Sequence, residues 1–337
     1  MRNIYDLTIK ELEDYFISIN EKKFRAVQVY EALYKRRVTS FDDMTNISKE
    51  VREKLKQDFS FYKIKMLIKQ QGKNVNKYLF ELEDGNKIES VLMFHDYGTS
   101  ICVSSQVGCN MTCAFCESGR LKKVRNLLAY EIVQQILQIE EDINKRITHV
   151  VVMGIGEPFD NYDNVLRFVK IINCGKGIDI GSRHITISTC GIIPGIKKFM
   201  NEEGQVNLAI SLHAPNNTLR NRIMPINKAY PLNELMETIK EYINKTNRRV
   251  TFEYIMLDNV NDSEENAKEL ALLLKGINCY VNLIPYNETE NIEFKRTKEW
   301  KIMKFYDILK KNKINVTIRK EFGGSVDAAC GQLRANN

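Results

Sequence analysis

The sequence lacks the features of exported and membrane-embedded proteins. The first residues, from Met1 to Asp6, contain no apolar signal-peptide core, and no apolar run in the 337 residues approaches the length of a membrane span. Gly/Ser-rich linkers and low-complexity tracts are also missing. These absences predict a folded protein of the cytoplasm without a membrane partner.

The cysteines are too few and too scattered for a secreted disulfide scaffold. Eight cysteines are spread over a chain whose apolar content of 43% is enough for a sizeable core. A reducing compartment suits thiols that bind metal or do redox work. The formal charge of +7 agrees with a polyanionic partner, although it is equally compatible with solvated helix faces.

Three regions with different residue patterns follow one another along the chain. Residues 1–60 are predicted to form a small helical accessory domain, in which Thr8 caps the first helix and Glu11 completes a capping box. Residues 61–98 contain short strand-like runs and are predicted to form a β extension. Residues 99–337 alternate β-branched runs with helical stretches and end in a short tail. The predicted strands of this third region are 101–105, 149–153, 184–188, 206–212, 250–256, 281–284 and 315–319.

This alternation predicts an α/β fold with a partial (β/α)6 TIM-like barrel, because successive strand–helix units form a parallel sheet. In such barrels the loops at the carboxyl ends of the strands build the active site. Cys109, Cys113 and Cys116 lie in the loop after the first predicted barrel strand. Their position therefore predicts that they are part of the active site.

The C-x3-C-x2-C spacing of these cysteines offers three thiolates and leaves a fourth ligand position of a metal centre open. A closed structural zinc site usually has four ligands, often as two C-x2-C pairs, and the sequence contains no second pair. A [4Fe–4S] cluster held by three cysteines would leave one iron free for substrate. Two other interpretations stay open on spacing alone, namely chance core cysteines and a zinc site completed by a distant cysteine or histidine.

Several motifs resemble those of a known enzyme family. The cysteine motif, with Phe115 before its last cysteine, resembles the signature of the radical S-adenosylmethionine (SAM) superfamily, and GIGEP (154–158) resembles its SAM-binding GGEP motif. A narrower resemblance, to the bacterial RlmN/Cfr methyltransferases of 23S ribosomal RNA, covers nearly the whole chain. It is carried by VSSQVGC (103–109), SLHAP (211–215), IMPIN (223–227) and DAACGQL (327–333).

The resemblance implies a radical SAM barrel that holds a [4Fe–4S] cluster and SAM. One cluster would be bound by Cys109, Cys113 and Cys116. One SAM molecule would supply the methyl group and a second would supply the radical. The SAM contacts of the family map onto Gly156, Glu157, Ser188, Ser211, Leu212, His213 and Asn287.

The resemblance also implies three catalytic residues outside the cluster motif. The target carbon of adenine is electrophilic, so it cannot be methylated by simple attack on SAM. In the family a tail cysteine, here Cys330, first becomes S-methylcysteine and then forms a covalent adduct with the RNA. Glu89 matches the glutamate that accepts the ring proton, and Cys102 matches the thiol that resolves the adduct, which would leave a transient disulfide with Cys330.

The expected partners are RNA and an electron donor. The resemblance implies an adenosine of 23S ribosomal RNA as substrate, and for the RlmN branch also the adenosine 3′ of the tRNA anticodon. The helical domain would grip RNA, a flavodoxin or ferredoxin would reduce the cluster, and nothing in the sequence demands more than a monomer.

Alternatives stay open for the branch of the family to which the chain is assigned and for its class of function. Glu157-Pro158 and Ala214-Pro215 favour the RlmN branch and hence methylation at C2. The residues ESGR (117–120) depart from the usual sequence of both branches, so Cfr-like methylation at C8, which confers resistance to ribosomal antibiotics, is the alternative. A further alternative is a non-catalytic RNA-binding protein with a structural metal, in which Cys102 and Cys330 would be dispensable. Another is a different radical SAM enzyme, which would leave Cys330 unexplained.

Overall fold

Three helices form the N-terminal part of the computed structural model, which describes residues 1–202, 204–319 and 333. Thr8 and Glu11 form the predicted capping box at the first helix. A parallel pair of two-residue strands, which the sequence did not predict, joins the two ends of this part. Its elements are β1 (Arg2–Asn3), α1 (Ile9–Ser18), α2 (Arg25–Tyr34), α3 (Lys49–Asp58) and β2 (Phe59–Ser60).

The β extension continues directly into the central sheet. Its strands form an antiparallel meander, and the last strand also pairs in parallel with the next strand of the barrel. The helical part and the extension are therefore followed by a barrel that shares its sheet with the extension. The strands of the meander are β3 (Lys65–Gln71), β4 (Val75–Glu81), β5 (Lys87–His95) and β6 (Gly98–Cys102).

The loop after β6 has local structure of its own. Two short strands pair antiparallel on either side of the cysteine segment, and one helical turn follows the last cysteine. The segment is thus held at both ends against the barrel. The elements are β7 (Gln106–Val107), α4 (Glu117–Arg120) and β8 (Arg125–Asn126).

Seven neighbouring strands of a ten-stranded sheet run parallel and form an incomplete barrel, as the alternation of patterns predicted. After β6 the parallel strands are β9 (His149–Val152), β10 (Ile185–Thr189), β11 (Asn207–Ser211), β12 (Val250–Met256), β13 (Cys279–Pro285) and β14 (Val316–Ile318). The helices between them are α5 (Ala129–Ile143), α6 (Tyr162–Ile172), α7 (Ile193–Phe199), α8 (Asn217–Ile223), α9 (Leu232–Thr246), α10 (Glu264–Leu273) and α11 (Glu299–Lys311). The fold class is therefore α/β, with a central, mostly parallel sheet.

A single hydrophobic core connects the N-terminal helices to the barrel. Phe16 of α1, Tyr30 of α2 and Phe168 of α6 belong to the same cluster of buried side chains. An ion pair between Arg167 and Glu11, with 2.5 Å between Nη1 and Oε2, adds a polar link between α6 and α1. In the described ranges, no helix is both long and apolar enough to cross a membrane.

Candidate active site

A cavity of about 470 Å³ opens where the parallel strands end at their carboxyl termini. Eleven residues predicted as site residues line this one cavity. They are Glu89, Cys102, Cys109, Cys113, Cys116, Gly156, Glu157, Ser188, Ser211, His213 and Asn287. Leu212 is fully buried outside the lining, and its N–H donates to the carbonyl of Glu253 at 3.1 Å. Cys330 lies outside the described residues.

Backbone hydrogen bonds hold the cysteine segment in place. The N–H of Cys109 donates to the carbonyl of Leu121 at 2.9 Å, and that of Cys116 donates to the carbonyl of Cys113 at 3.1 Å. Gly108, at φ +80°, allows the turn into the segment, because a Cβ there would lie 2.1 Å from the carbonyl oxygen of Lys122. The three thiols are therefore presented by a loop whose backbone is fixed locally.

The thiols are protonated in the absence of metal. Burial raises the pKa of Cys109 to about 12. Burial also raises the pKa of Cys113 well above its usual value, and the neighbouring thiols of Cys116 and Cys109 raise it further. Thiolates beside one another in a buried site require a cation, so metal binding would release their protons.

The donor set fits a three-cysteine cluster. Three thiols from one short segment face one cavity, and thiolates are the ligands that iron–sulfur clusters use. Within the described part of the chain, no three His, Cys, Asp or Glu side chains converge on one point as a single metal ion would require. In a cubane cluster each thiolate binds its own iron, so the three sulfurs need not meet at one point.

The Gly-rich turn after β9 places a carboxylate in the cavity. Gly156 has φ +110°, and a Cβ there would lie 2.6 Å from Cβ of Gln106, so only glycine fits. The buried carboxylate of Glu157 accepts the N–H of Phe159 at 3.0 Å and the N–H of Cys190 at 2.8 Å. Burial raises the pKa of Glu157, and these hydrogen bonds act in the opposite direction. The turn thus holds the carboxylate of Glu157 in a fixed position at the cavity wall.

His213 has an unusual backbone conformation and a fixed tautomer. Its φ is +57°, and its Nδ1 accepts the N–H of Ile255 at 3.0 Å. Since Nδ1 is an acceptor, the ring proton is on Nε2 in the neutral imidazole. Burial, together with the charge of Arg220, lowers the pKa of His213 to about 3. The ring is therefore neutral at physiological pH and packs edge-on against Phe115, with 4.9 Å between ring centroids.

The neutral state of His213 should make stability depend on pH. A histidine in the unfolded chain has a pKa near 6.5. As the pH falls, the unfolded state therefore binds a proton that the folded state does not bind. This contribution to stability is present above about pH 6.5, and about 2 kcal/mol of it should be lost between pH 7 and pH 5. Denaturant unfolding of metal-free wild type and His213→Asn at both pH values measures it, since asparagine tolerates positive φ. Equal losses in both proteins would contradict the assignment.

A second group of side chains lies on β4, β5 and β6 and lines the same cavity. Glu89 is paired with buried Lys77, with 3.3 Å between Oε1 and Nζ. Cys102 is opposite Val91 in the register of β5 and β6, two residues from Glu89 on the same face. Burial raises the pKa of Cys102 to about 11, and the charge of Arg319 opposes this increase.

Several residues of the cavity were missed by the sequence analysis. They are Lys77, Cys190, Glu253, Arg296 and Arg319. Cys190 lines the cavity, and its N–H donates to the carboxylate of Glu157. The described cysteines, including Cys102, are free thiols, and Cys330, the expected partner of Cys102 in a transient disulfide, lies outside the described residues.

Two protein-family models match the chain. The Ribosomal RNA large subunit methyltransferase N-terminal domain matches residues 2–60, and the Radical SAM superfamily matches residues 103–271. The first match covers the N-terminal helices, and the second begins with the segment before the cysteine loop and extends through α9 and most of α10.

Similar curated proteins and a similar solved structure cover the whole chain. A "Probable dual-specificity RNA methyltransferase RlmN" of Spiroplasma citri is 54% identical over 341 residues, covering 100% of this chain and 98% of that protein. A protein of the same description from Enterococcus faecalis (strain ATCC 700802 / V583) is 55% identical and covers 99% of this chain and 96% of its own length. The crystal structure of a radical SAM methyltransferase from Sphaerobacter thermophilus superimposes with a TM-score of 0.93 at 40% identity, covering 98% of this chain and 99% of that one.

Proposed function

The chain belongs to the RlmN family of radical SAM RNA methyltransferases, and from this membership we propose that it methylates C2 of an adenosine in 23S ribosomal RNA. We extend the proposal to the adenosine 3′ of the tRNA anticodon, because the similar curated proteins are described as having dual specificity. The residues Glu157-Pro158 and Ala214-Pro215 support the C2 branch. A cytoplasmic location, where ribosomal and transfer RNA occur, is part of the proposal.

The observation that carries the proposal is that two chemically different groups face one cavity. Cys109, Cys113 and Cys116 lie on one side, and Glu89 and Cys102 lie on the neighbouring strands β5 and β6. A radical generator needs only the first group. A base and a thiol within the same cavity are what transfer of a carbon to an electrophilic ring and its release would require.

Family membership implies a [4Fe–4S] cluster and SAM. When bound, they supply a 5′-deoxyadenosyl radical that removes a hydrogen atom from a methyl group. We propose that the three cysteines of the loop hold the cluster. Glu157, with Ser188, Ser211, His213 and Asn287 at the strand ends, would bind SAM in the same cavity. One SAM molecule would be consumed for the methyl group and another for the radical.

The other steps belong to side chains of the chain itself. The thiolate of Cys330 attacks the methyl carbon of SAM, releases S-adenosylhomocysteine and becomes S-methylcysteine. Its methyl carbon, having lost a hydrogen atom, then bonds to the ring carbon of adenine, and the unpaired electron of this adduct would return to the cluster. Glu89, held beside Lys77, accepts the proton that leaves this ring carbon. The thiolate of Cys102 attacks the sulfur of Cys330, breaks the sulfur–carbon bond and forms a disulfide, while the released carbon takes up a proton to become the methyl group.

RNA binding and reduction complete the proposal. RNA is the substrate class of the family, and the adenosine must leave its stack to reach a buried cavity, which costs a few kcal/mol. We propose that the N-terminal helices, which match the RlmN N-terminal domain, grip the RNA outside the cavity. A small redox protein such as flavodoxin or ferredoxin would reduce the cluster, and a monomer would suffice because one chain lines the cavity.

Mass spectrometry of RNA nucleosides tests the product. Ribosomal and transfer RNA from cells that lack endogenous adenine-C2 methylation should gain 2-methyladenosine when this chain is expressed. The matched control is Cys113→Ala, which removes one proposed cluster ligand and should give none. Recovery of 8-methyladenosine would overturn the assignment to C2. A modification that persists with Cys113→Ala would overturn the radical mechanism.

A further inference from the structure

Arg220 is a fully buried arginine behind the candidate active site. It lies in α8, a helix that the sequence analysis missed, and its side chain is 0% exposed. Its guanidinium donates four hydrogen bonds to uncharged acceptors. These are the carbonyls of Leu212 at 3.1 Å, Cys190 at 2.6 Å and Ser211 at 3.2 Å, and Oδ1 of Asn227 at 2.8 Å.

These contacts join three parts of the site. Cys190 follows β10, Ser211 ends β11, and Leu212 follows it, so one side chain fixes the carboxyl ends of two neighbouring strands. The same helix reaches the cysteine loop, because the N–H of Ala114 donates to the carbonyl of Ile223 at 2.9 Å. Arg220 is thus linked through α8 to the segment that presents the thiols.

The positive charge of Arg220 has no carboxylate partner in the described part of the chain. The ionisable groups near enough to interact with its charge are the thiols of Cys190 and Cys113. Burial lowers the pKa of Arg220, but a guanidinium stays protonated in proteins. A buried cation without a carboxylate partner is costly, and a bound anion nearby would offset that cost.

Cys113 lies in an apolar environment close to Arg220, because it packs against Cys190, whose carbonyl Arg220 binds. It packs with Cys190, Ile223 and Met224 in a small cluster that is separate from the main core. A cation in such a dry environment acts over a longer distance than one in water.

We propose that Arg220 is a positioning residue that serves as the buried counter-ion of the iron–sulfur cluster and fixes the ends of β10 and β11 beside it. The inference rests on the proposed function, since it assumes the cluster on Cys109, Cys113 and Cys116. A cluster with three thiolates is an anion, and reduction adds a further negative charge. A nearby fixed cation stabilises the reduced form and raises the reduction potential.

The proposal also gives the IMPIN motif a role. Asn227 accepts from Arg220, and its own amide donates to Oδ1 of Asn217 at 2.9 Å and to Oδ1 of Asn221 at 2.8 Å. These bonds fix the amide so that its oxygen faces the guanidinium. The motif therefore holds the counter-ion rather than the substrate.

Redox titration of the anaerobically reconstituted protein tests the proposal. Arg220→Met removes the charge at similar length, and Arg220→Lys keeps the charge but loses the planar array of donors. The matched control is Arg222→Met, which removes an exposed positive charge from the same helix. Arg220→Met should lower the midpoint potential of the cluster relative to wild type and the control, whereas Arg220→Lys should stay near wild type.

Iron content and thermal unfolding of the metal-free proteins distinguish an effect of the charge of Arg220 from a folding defect. Uptake of iron by Arg220→Lys but not by Arg220→Met, with both folded by circular dichroism, would also support a role of the charge. An unchanged potential in fully loaded Arg220→Met, or equal loss of iron in both folded variants, would overturn it. Failure of wild type to take up iron would instead contradict the proposed function.

Discussion

Replacing Cys330 with alanine is expected to abolish methylation of RNA and to leave SAM cleavage intact. The ring carbon of adenine is electrophilic and needs a carbon donor other than the methyl group of SAM, and alanine has no sulfur to carry one. Loss of a covalent nucleophile costs roughly 10⁴-fold or more in rate, so no product should be detectable. SAM cleavage should persist, because the proposed cluster ligands and SAM contacts that line the cavity do not include Cys330.

Two products measured on the same sample test this separation of roles. Under anaerobic conditions with a chemical reductant, 5′-deoxyadenosine reports cleavage and methylated adenosine reports transfer. Cys174→Ala is the matched control, because Cys174 is a free cysteine outside the cavity lining and its replacement should leave both products unchanged. Methylation by Cys330→Ala would refute the S-methylcysteine intermediate. Loss of both products in that variant would show that Cys330 is needed before transfer.

The barrel was predictable because its elements carry strong local patterns. β12 begins and ends at the predicted residues 250 and 256, since its β-branched and aromatic residues are visible in sequence. The capping box at Thr8 is also local, because both partners are three residues apart. The parallel order of the strands follows from their alternation with helices.

Features that depend on distant contacts were not predictable in the same way. The pairing of β1 with β2 involves two residues from each strand, and only the packing of three helices between them brings their chain segments together. Helix α8 contains polar residues at most positions, including Arg220, whose burial depends on carbonyls from two other loops. From the sequence pattern such an arginine is expected to be exposed to solvent, because most arginines are.

The pairing of Lys77 with Glu89 within the site was also not predictable from local sequence patterns. Both are charged residues on strands, where a solvent-facing position is the ordinary expectation, yet they are 1% and 2% exposed. The barrel and the extension share one sheet, so the faces of β4 and β5 become part of the cavity wall. A buried carboxylate beside an ammonium keeps its charge at a smaller cost than one buried alone, which suits a residue proposed to accept a proton.

Replacing Cys102 with alanine is expected to trap the protein on its RNA. Cys102 lines the cavity at the end of β6, two positions from Glu89 across the β5–β6 pair, and the proposal makes its thiolate the group that breaks the sulfur–carbon bond. Alanine cannot attack sulfur, so the adduct should form and persist while free methylated RNA falls by at least about tenfold. The double variant Cys102→Ala/Cys330→Ala should form no adduct.

Denaturing electrophoresis of labelled RNA measures the adduct, and its pH dependence tests which group resolves it. Since burial raises the pKa of Cys102 to about 11, only a small fraction is thiolate at neutral pH, and this fraction grows with pH below that value. Release of wild-type adduct should therefore become faster between pH 7 and pH 9, whereas the Cys102→Ala adduct should stay intact throughout. Free product from Cys102→Ala without an accumulated adduct would show that another thiol resolves it. Cys190 would then be the next cysteine to replace, because it lines the same cavity and belongs to no cluster motif.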